Sequence, residues 1–181
     1  MLELNKIYKG NWIELAEQLD DESKGLYMTY TLLYGMRDTL SYLAGIIDGE
    51  GYVGIKKSHR LKTCPSPTYH ERIQIRMVEE KAINLFKEVF GGNYYKEKPH
   101  STKGKLLYCY QASDLIASKI IKKILPYLLI KKKQAKNVLL LRKNKEQNKH
   151  KPRGSPRGNL MDKKILEYRE GLYSEGKRLN A

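Results

Sequence analysis

Cysteine is nearly missing from this chain: Cys64 and Cys109 are the only two among 181 residues. Two thiols cannot build a disulfide framework, nor a zinc site without imported ligands, so a reducing intracellular compartment is expected. Long apolar runs are missing too. None approaches the ~20 residues needed to cross a membrane, and no membrane partner is expected. The first twenty residues do not read as a secretory signal, because Glu3, Glu14, Glu17 and Asp20 interrupt any apolar stretch. Acid is the other scarcity. Asp and Glu number 20 against 35 Lys and Arg, a net charge of +15, with a pI near 9.6. Such a balance points toward a polyanionic partner, although ribosomal and membrane-surface proteins share it. The excess is uneven: residues 131–181 hold sixteen Lys/Arg against five Asp/Glu, eleven of the fifteen surplus charges.

What is present suits one compact core with extensions. A hydrophobic fraction of 40% is ordinary, and the length allows a core of about a hundred residues or more. Residues 11–20 suggest a short amphipathic helix with Trp12, Leu15 and Leu19 on one side, followed by an irregular tyrosine-rich stretch over 21–36. A second helix ends near Gly51, with Asp38 or Thr39 as its cap. Val53 and Ile55 then alternate with Tyr52, Gly54 and Lys56, the period-2 pattern of a half-buried strand. Arg72–Met77 alternates again after a loop at Lys62–Pro67. Glu79–Phe90 reads as a helix ended by Gly91-Gly92, and Asn93–Lys98 with Leu106–Gln111 as a second strand pair. Residues 114–125 and 131–143 are helical on either side of Pro126. A Pro/Gly/Arg-rich linker at Lys149–Gly158 precedes a terminal helix near Leu160–Leu172. The organisation is an extension over 1–37, an α+β core over 38–148, and a basic linker with a helix over 149–181.

The most informative stretch is Leu43-Ala44-Gly45-Ile46-Ile47-Asp48-Gly49-Glu50-Gly51. Glycine inside a helix costs roughly 0.5–1 kcal/mol relative to alanine, so Gly45 and Gly49 ask for a reason. Small side chains let a second helix approach backbone to backbone, and Glu50 sits at the exit, free to hold a metal. Simple core packing with a solvated Glu50 is the plainer alternative.

The string resembles the signature of the LAGLIDADG homing endonucleases. It keeps the leading Leu-Ala-Gly, the first Asp and the closing Gly, with Glu50 in place of the second Asp. Leu40 and Tyr42 lead in, and Tyr52-Val53-Gly54-Ile55 continues as a strand. Downstream, Leu125-Pro126 with Lys131-Lys132-Lys133-Gln134-Ala135 is similar to the family's Leu-(x)-Pro…Lys-x-x-Gln-Ala segment. The resemblance covers roughly residues 38–142. It implies an αββαββα fold, with an antiparallel β-saddle backed by helices and the signature helix at a dimer interface.

The resemblance also implies chemistry. Glu50, with the Gly49 carbonyl, would hold Mg²⁺ or another divalent ion such as Mn²⁺, while Ca²⁺ would bind without supporting cleavage. Lys131 would reach the scissile phosphate, with Lys132 and Lys133 as competing assignments. Glu79 is the nearest match to a polar residue at the end of the second strand. Glu80 competes for that place, and either carboxylate would also favour a helix N-terminus. Only one signature copy occurs, so two acids require a homodimer, with Ala44, Gly45, Asp48 and Gly49 at the interface and a near-palindromic target.

The strands carry the expected DNA contacts. Ile73, Ile75 and Met77 point to one face and Arg72, Gln74 and Arg76 to the other, beside Lys56, Ser58 and Arg60. A β-ribbon fits the major groove, where Arg pairs with guanine and Gln with adenine. Tyr52, Lys96, Lys98, Tyr108 and Tyr110 complete the expected DNA-facing set, and Lys151, Arg153 and Arg157 would touch phosphates. The expected activity is site-specific double-strand DNA cleavage in intron homing, leaving 3′ overhangs. An RNA-binding maturase of the same fold, or a nuclease-inactive DNA-binding regulator, is the alternative.

Overall fold

The computed structural model describes residues 37–58, 66–98, 104–148 and 162–181. The chain divides into two compact units, Met1–Thr39 and Leu40–Ala181, and the architecture below is that of the second. The expected helix at 11–20, the tyrosine-rich stretch and the linker at 149–158 lie outside the described residues.

Helix α1 occupies 37–50. Its buried positions Leu43, Ala44, Ile47 and Asp48 fall one turn apart on a single stripe. Asp38 and Thr39 are already helical, so neither is its cap. Strand β1 (Gly51–Ser58) starts at the next residue, followed by β2 (Thr68–Met77), α2 (Glu80–Phe90), β3 (Tyr94–Glu97), β4 (Leu107–Ser113), α3 (Asp114–Ile124), α4 (Lys132–Gln147) and α5 (Lys163–Leu179). The four strands form one sheet in the order β1-β2-β4-β3, antiparallel at every pairing. The class is α+β: the αββαββα order expected from the sequence, followed by two further helices.

Register decides which face is covered. Val53 lies opposite Ile73, Gly51 opposite Ile75, and Ile75 opposite Tyr110. These positions form the apolar face, closed by Leu43 and Ile47 of α1, Ile83 and Phe86 of α2, Ile120, Ile121 and Ile124 of α3, and Val138 and Leu141 of α4. Each such side chain removed from water contributes roughly 1.5–3 kcal/mol. The other face, one residue out of phase, is open among the described residues except where Tyr173 and Lys177 of α5 approach Tyr52, Lys56 and Arg72.

Helix α5 departs from expectation. It continues to Leu179 and is part of the core rather than an appendage, with Leu172 in the buried cluster. Asn137 donates to the Leu172 carbonyl at 2.8 Å, Gln134 to that of Leu179 at 2.7 Å, and Asn180 to that of Val53 at 3.2 Å. The last bond satisfies an acceptor on β1, an edge strand whose unpaired backbone would otherwise invite another chain.

One core position is charged. Glu71 lies on the covered face between Tyr69 and Ile73 and is fully buried. Lys145 Nζ donates to its Oε2 at 2.7 Å. Arg142 Nε lies 3.1 Å from Oε1, but its N–H is aimed at Ser118 Oγ (3.2 Å), so that pair is coulombic without hydrogen-bond alignment. Lys145 also reaches Asp114 Oδ1 at 2.9 Å, and His70 Nδ1 lies 2.9 Å from Oδ2. Burial opposes ionisation of Asp114, yet hydrogen bonds from Lys145 and His70 hold its carboxyl below the usual carboxylate range. Asp114 is also the one described non-glycine residue at positive φ (53°). Breaking a buried ion pair on one side is costly because the partner charge stays buried. Glu71→Gln is therefore expected to lower unfolding free energy by about 3 kcal/mol, checked by urea denaturation against wild type.

Candidate active site and nucleic-acid interface

The corner where α1 meets β1 is built without a linker. A Cβ on Gly51 would come within 2.8 Å of the Ile47 Cα and carbonyl oxygen, so only glycine lets the strand leave this close to the helix. Asp48 is turned inward and 9% exposed. Its carboxylate accepts from the backbone N–H groups of Leu129 (2.7 Å), Ile130 (3.2 Å) and Lys131 (2.8 Å). These donors lie at the start of α4, where the helix dipole also favours an anion. Lys131 answers, its Nζ donating to the Asp48 carbonyl at 2.5 Å. The clamp brings Lys131 to the end of α1, two residues before Glu50.

Ala44 (0% exposed) and Asp48, both expected at a dimer interface, are buried within this chain. Gly45 and Gly49 face outward, and a Cβ added to either meets nothing within 4 Å among the described residues. Tyr42, on the same side, is 56% exposed. Glu50 is exposed and lines a cavity of ≈ 320 Å³ with Gly51, Tyr52, Gln74 and Arg76. Glu79 does not reach it: its side chain caps α2, accepting from Lys81 N at 3.1 Å. Glu80 is engaged by Tyr94 Oη at 2.8 Å. The residue at the end of the second strand that lines this cavity with Glu50 is Arg76.

The uncovered sheet face carries Tyr52, Lys56 and Ser58 from β1 and His70, Arg72, Gln74 and Arg76 from β2, as the register fixes. Gln111 and Cys109 follow from β4, and Tyr95 and Glu97 from β3. Their polar groups are linked across strands. Arg72 Nη2 donates to Gln111 Oε1. The Gln74 amide is best satisfied with its oxygen toward Arg76, accepting from Nη2 (2.9 Å) and Nε (3.0 Å). Arg76 also forks onto Glu97, with Nη2–Oε1 at 3.1 Å and Nε–Oε2 at 3.0 Å. Tyr95 Oη donates to Glu97 at 3.2 Å. Hydrogen bonding with Cys109, then burial and the Glu97 charge, push the Tyr95 phenol up to about 12, so it remains a donor at neutral pH.

Solved structures of homing endonucleases superpose on this chain. The LAGLIDADG homing endonuclease I-SmaMI matches over 78% of this chain and 45% of its own, at 15% identity and TM-score 0.59. I-CvuI matches over 79% of this chain and 82% of its own, at 19% identity and TM-score 0.60. The chain has the LAGLIDADG homing endonuclease fold. The archaeal intron-encoded I-Vdi141I matches over 76% of this chain and 98% of its own, at 14% identity and TM-score 0.50. No family model and no curated protein matches the sequence.

Within the LAGLIDADG fold, three residues of the expected DNA-facing set lie on the helix-covered face of the sheet. Tyr110 is 1% exposed, stacks on Phe86 (ring centroids 5.6 Å) and donates to the Gly91 carbonyl. Tyr108 pairs edge-on with Tyr94, and Lys96 lies over the Tyr108 ring at 5.2 Å. All three share the helix-covered face. The alternation in Leu107–Ser113 was visible, but its phase was not: tyrosines on one side and Cys109 with Gln111 on the other look equally polar. Register against β2 decides it. Lys98 lies exposed just beyond β3, while Arg60, Lys151, Arg153 and Arg157 lie outside the described residues. Asp48→Ala leaves the three backbone donors of Leu129, Ile130 and Lys131, just ahead of α4, without their acceptor. It is expected to cost on the order of 2 kcal/mol, read as a lower urea midpoint with an unchanged slope.

Proposed function

We propose that this chain is a site-specific DNA endonuclease that works as a homodimer and uses a divalent metal. The carrying observation is the exposed Glu50 at the end of a helix whose Gly45 and Gly49 have no packing partner among the described residues. Two copies joined along Gly45 and Gly49 would bring two Glu50 carboxylates together. The fold supports this reading: I-CvuI was solved with its DNA target in Ca²⁺ and I-SmaMI on cleaved DNA. This chain spans 82% of I-CvuI but 45% of I-SmaMI, and it carries one signature.

The donor set fits such a metal. Among the described residues no group of three or more His, Cys, Asp or Glu side chains converges, so one chain offers a single carboxylate here. Mg²⁺ is commonly held by one or two carboxylates with waters and substrate phosphates. Glu50, with the Gly49 carbonyl, would hold it, and when bound it supplies a Lewis acid and an acidified water. This chain's residues do the rest. Lys131, clamped by Asp48, presents positive charge where a phosphate gains negative charge in the transition state. Arg72, Gln74 and Arg76 enter the major groove, and cross-strand bonds fix the direction of each fork. Each subunit cuts one strand of a near-palindromic target, leaving 3′ overhangs.

Two variants test this. Glu50→Gln should keep duplex affinity and lose at least roughly 10²-fold in cleavage rate, the size of one lost electrostatic contact. Single-turnover nicking assays in Mg²⁺ measure it, and near wild-type cleavage would remove the metal role. A Cβ at Gly45 meets no neighbour among the described residues, so Gly45→Leu should keep the folded circular-dichroism spectrum. Light scattering should then report the 21.1 kDa monomer, without double-strand cleavage. A dimeric, active Gly45→Leu would place the interface elsewhere.

A further inference from the structure

Helix α5 does more than close the edge of β1. A cavity of ≈ 340 Å³ lies between them, lined by Tyr52, Lys56 and Lys57 of β1, Arg72 of β2, and Tyr173 and Lys177 of α5. Four of its lining side chains are cations and none is a carboxylate. Lys57 is neutralised from the side by Glu170, at 2.8 Å. Lys56, Arg72 and Lys177 have no carboxylate partner among the described residues. The ammonium groups of Lys57 and Lys177 both lie over the Tyr173 ring, at 5.7 and 5.0 Å. Burial, then Tyr173, raise the pKa of the Tyr52 phenol against the opposing Arg72 charge, which leaves it a hydrogen-bond donor beside the cations.

Like charges gathered around one opening repel one another unless an anion joins them. The cavity is continuous with the open sheet face, sharing Tyr52 and Arg72 with the strands that would enter the groove. A duplex lying on that face carries one phosphate charge per ~1.7 Å of axis and must pass this rim. We propose that α5 and the edge strand form a phosphate-binding cleft, in which Lys177 and Lys56 hold the DNA backbone flanking the segment the sheet reads. The proposal rests on the DNA-binding reading above and extends it to a helix outside the segment that resembles the family signature.

The test uses the full chain and a fluorescein-labelled random-sequence duplex, with affinity measured by anisotropy between about 50 and 200 mM salt. Lys177→Gln and Lys56→Gln should each weaken binding several-fold at low salt and reduce the salt slope by about 0.9, one phosphate contact. Lys177→Arg should restore both. The control is Lys163→Gln, which removes the same charge about 21 Å away along α5 from a side chain that is 87% exposed. It should leave the slope unchanged, and an equal loss there would mean bulk charge rather than a cleft. If wild type binds the duplex while Lys177→Gln and Lys56→Gln keep its slope, the cleft is wrong and the DNA reading stands. If wild type does not bind duplex at all, both fall. A further arm adds inorganic phosphate at matched ionic strength. Thermal stabilisation of wild type but not of Lys177→Gln, with equal slopes on duplex, would make this a free-anion site and overturn the proposal.

Discussion

The contacts of the Asp48 carboxylate hold the corner between α1 and β1 to the segment leading into α4. One side chain takes three backbone donors from a segment about eighty residues further along the chain, and the same segment returns a lysine to its carbonyl. These bonds set direction as well as distance between the end of α1 and the segment leading into α4. With them, Lys131 has one place to be. The buried Glu71 does a comparable job at the opposite end of the sheet, tying β2 to α4 through Arg142 and Lys145. Between these two anchors the sheet is braced at both ends, and its free face can carry polar side chains without losing register.

Much of this was legible from residues alone. The signature string, the period-2 alternation of β2, the glycine pair ending α2 and the break at Pro126 each encode a local conformation, and each appears where local rules place it. Non-local pairing was not legible. Asp48 looks like one more polar residue on a helix until Leu129–Lys131 arrives beside it. Glu79 is a local case, since a helix N-terminus was one of its two expected roles, and it caps the Lys81 N–H two residues on. The face taken by Tyr108 and Tyr110 could not be read, because a strand of mixed polarity has no phase until it is paired. The terminal helix was undervalued for a similar reason. Leu172 and Asn180 have partners on α4 and β1 that no window of neighbouring residues contains.

Electrostatics on the open face follow a similar logic of restraint. Arg76 is held by Glu97 and Gln74, and Arg72 by Gln111. An unrestrained arginine would attract any phosphate. One whose fork is already half occupied has fewer donors to offer and fewer directions in which to offer them, which favours planar partners such as a base edge. Glu97 weakens the general attraction of a +15 protein for nucleic acid in exchange for orientation.

The missing linker between α1 and β1 has a mechanical meaning. Glu50 ends the helix and Gly51 begins the strand, with the Ile47 backbone pressed against Gly51, so no residue there can act as a hinge. On the proposed reading, the strand that inspects the groove and the carboxylate that serves the cut form one rigid lever. A base pair that lifts the strand by a fraction of its rise also displaces the carboxylate. Fidelity would then come from geometry, since a poorly seated sequence misaligns the chemistry without a separate checking step.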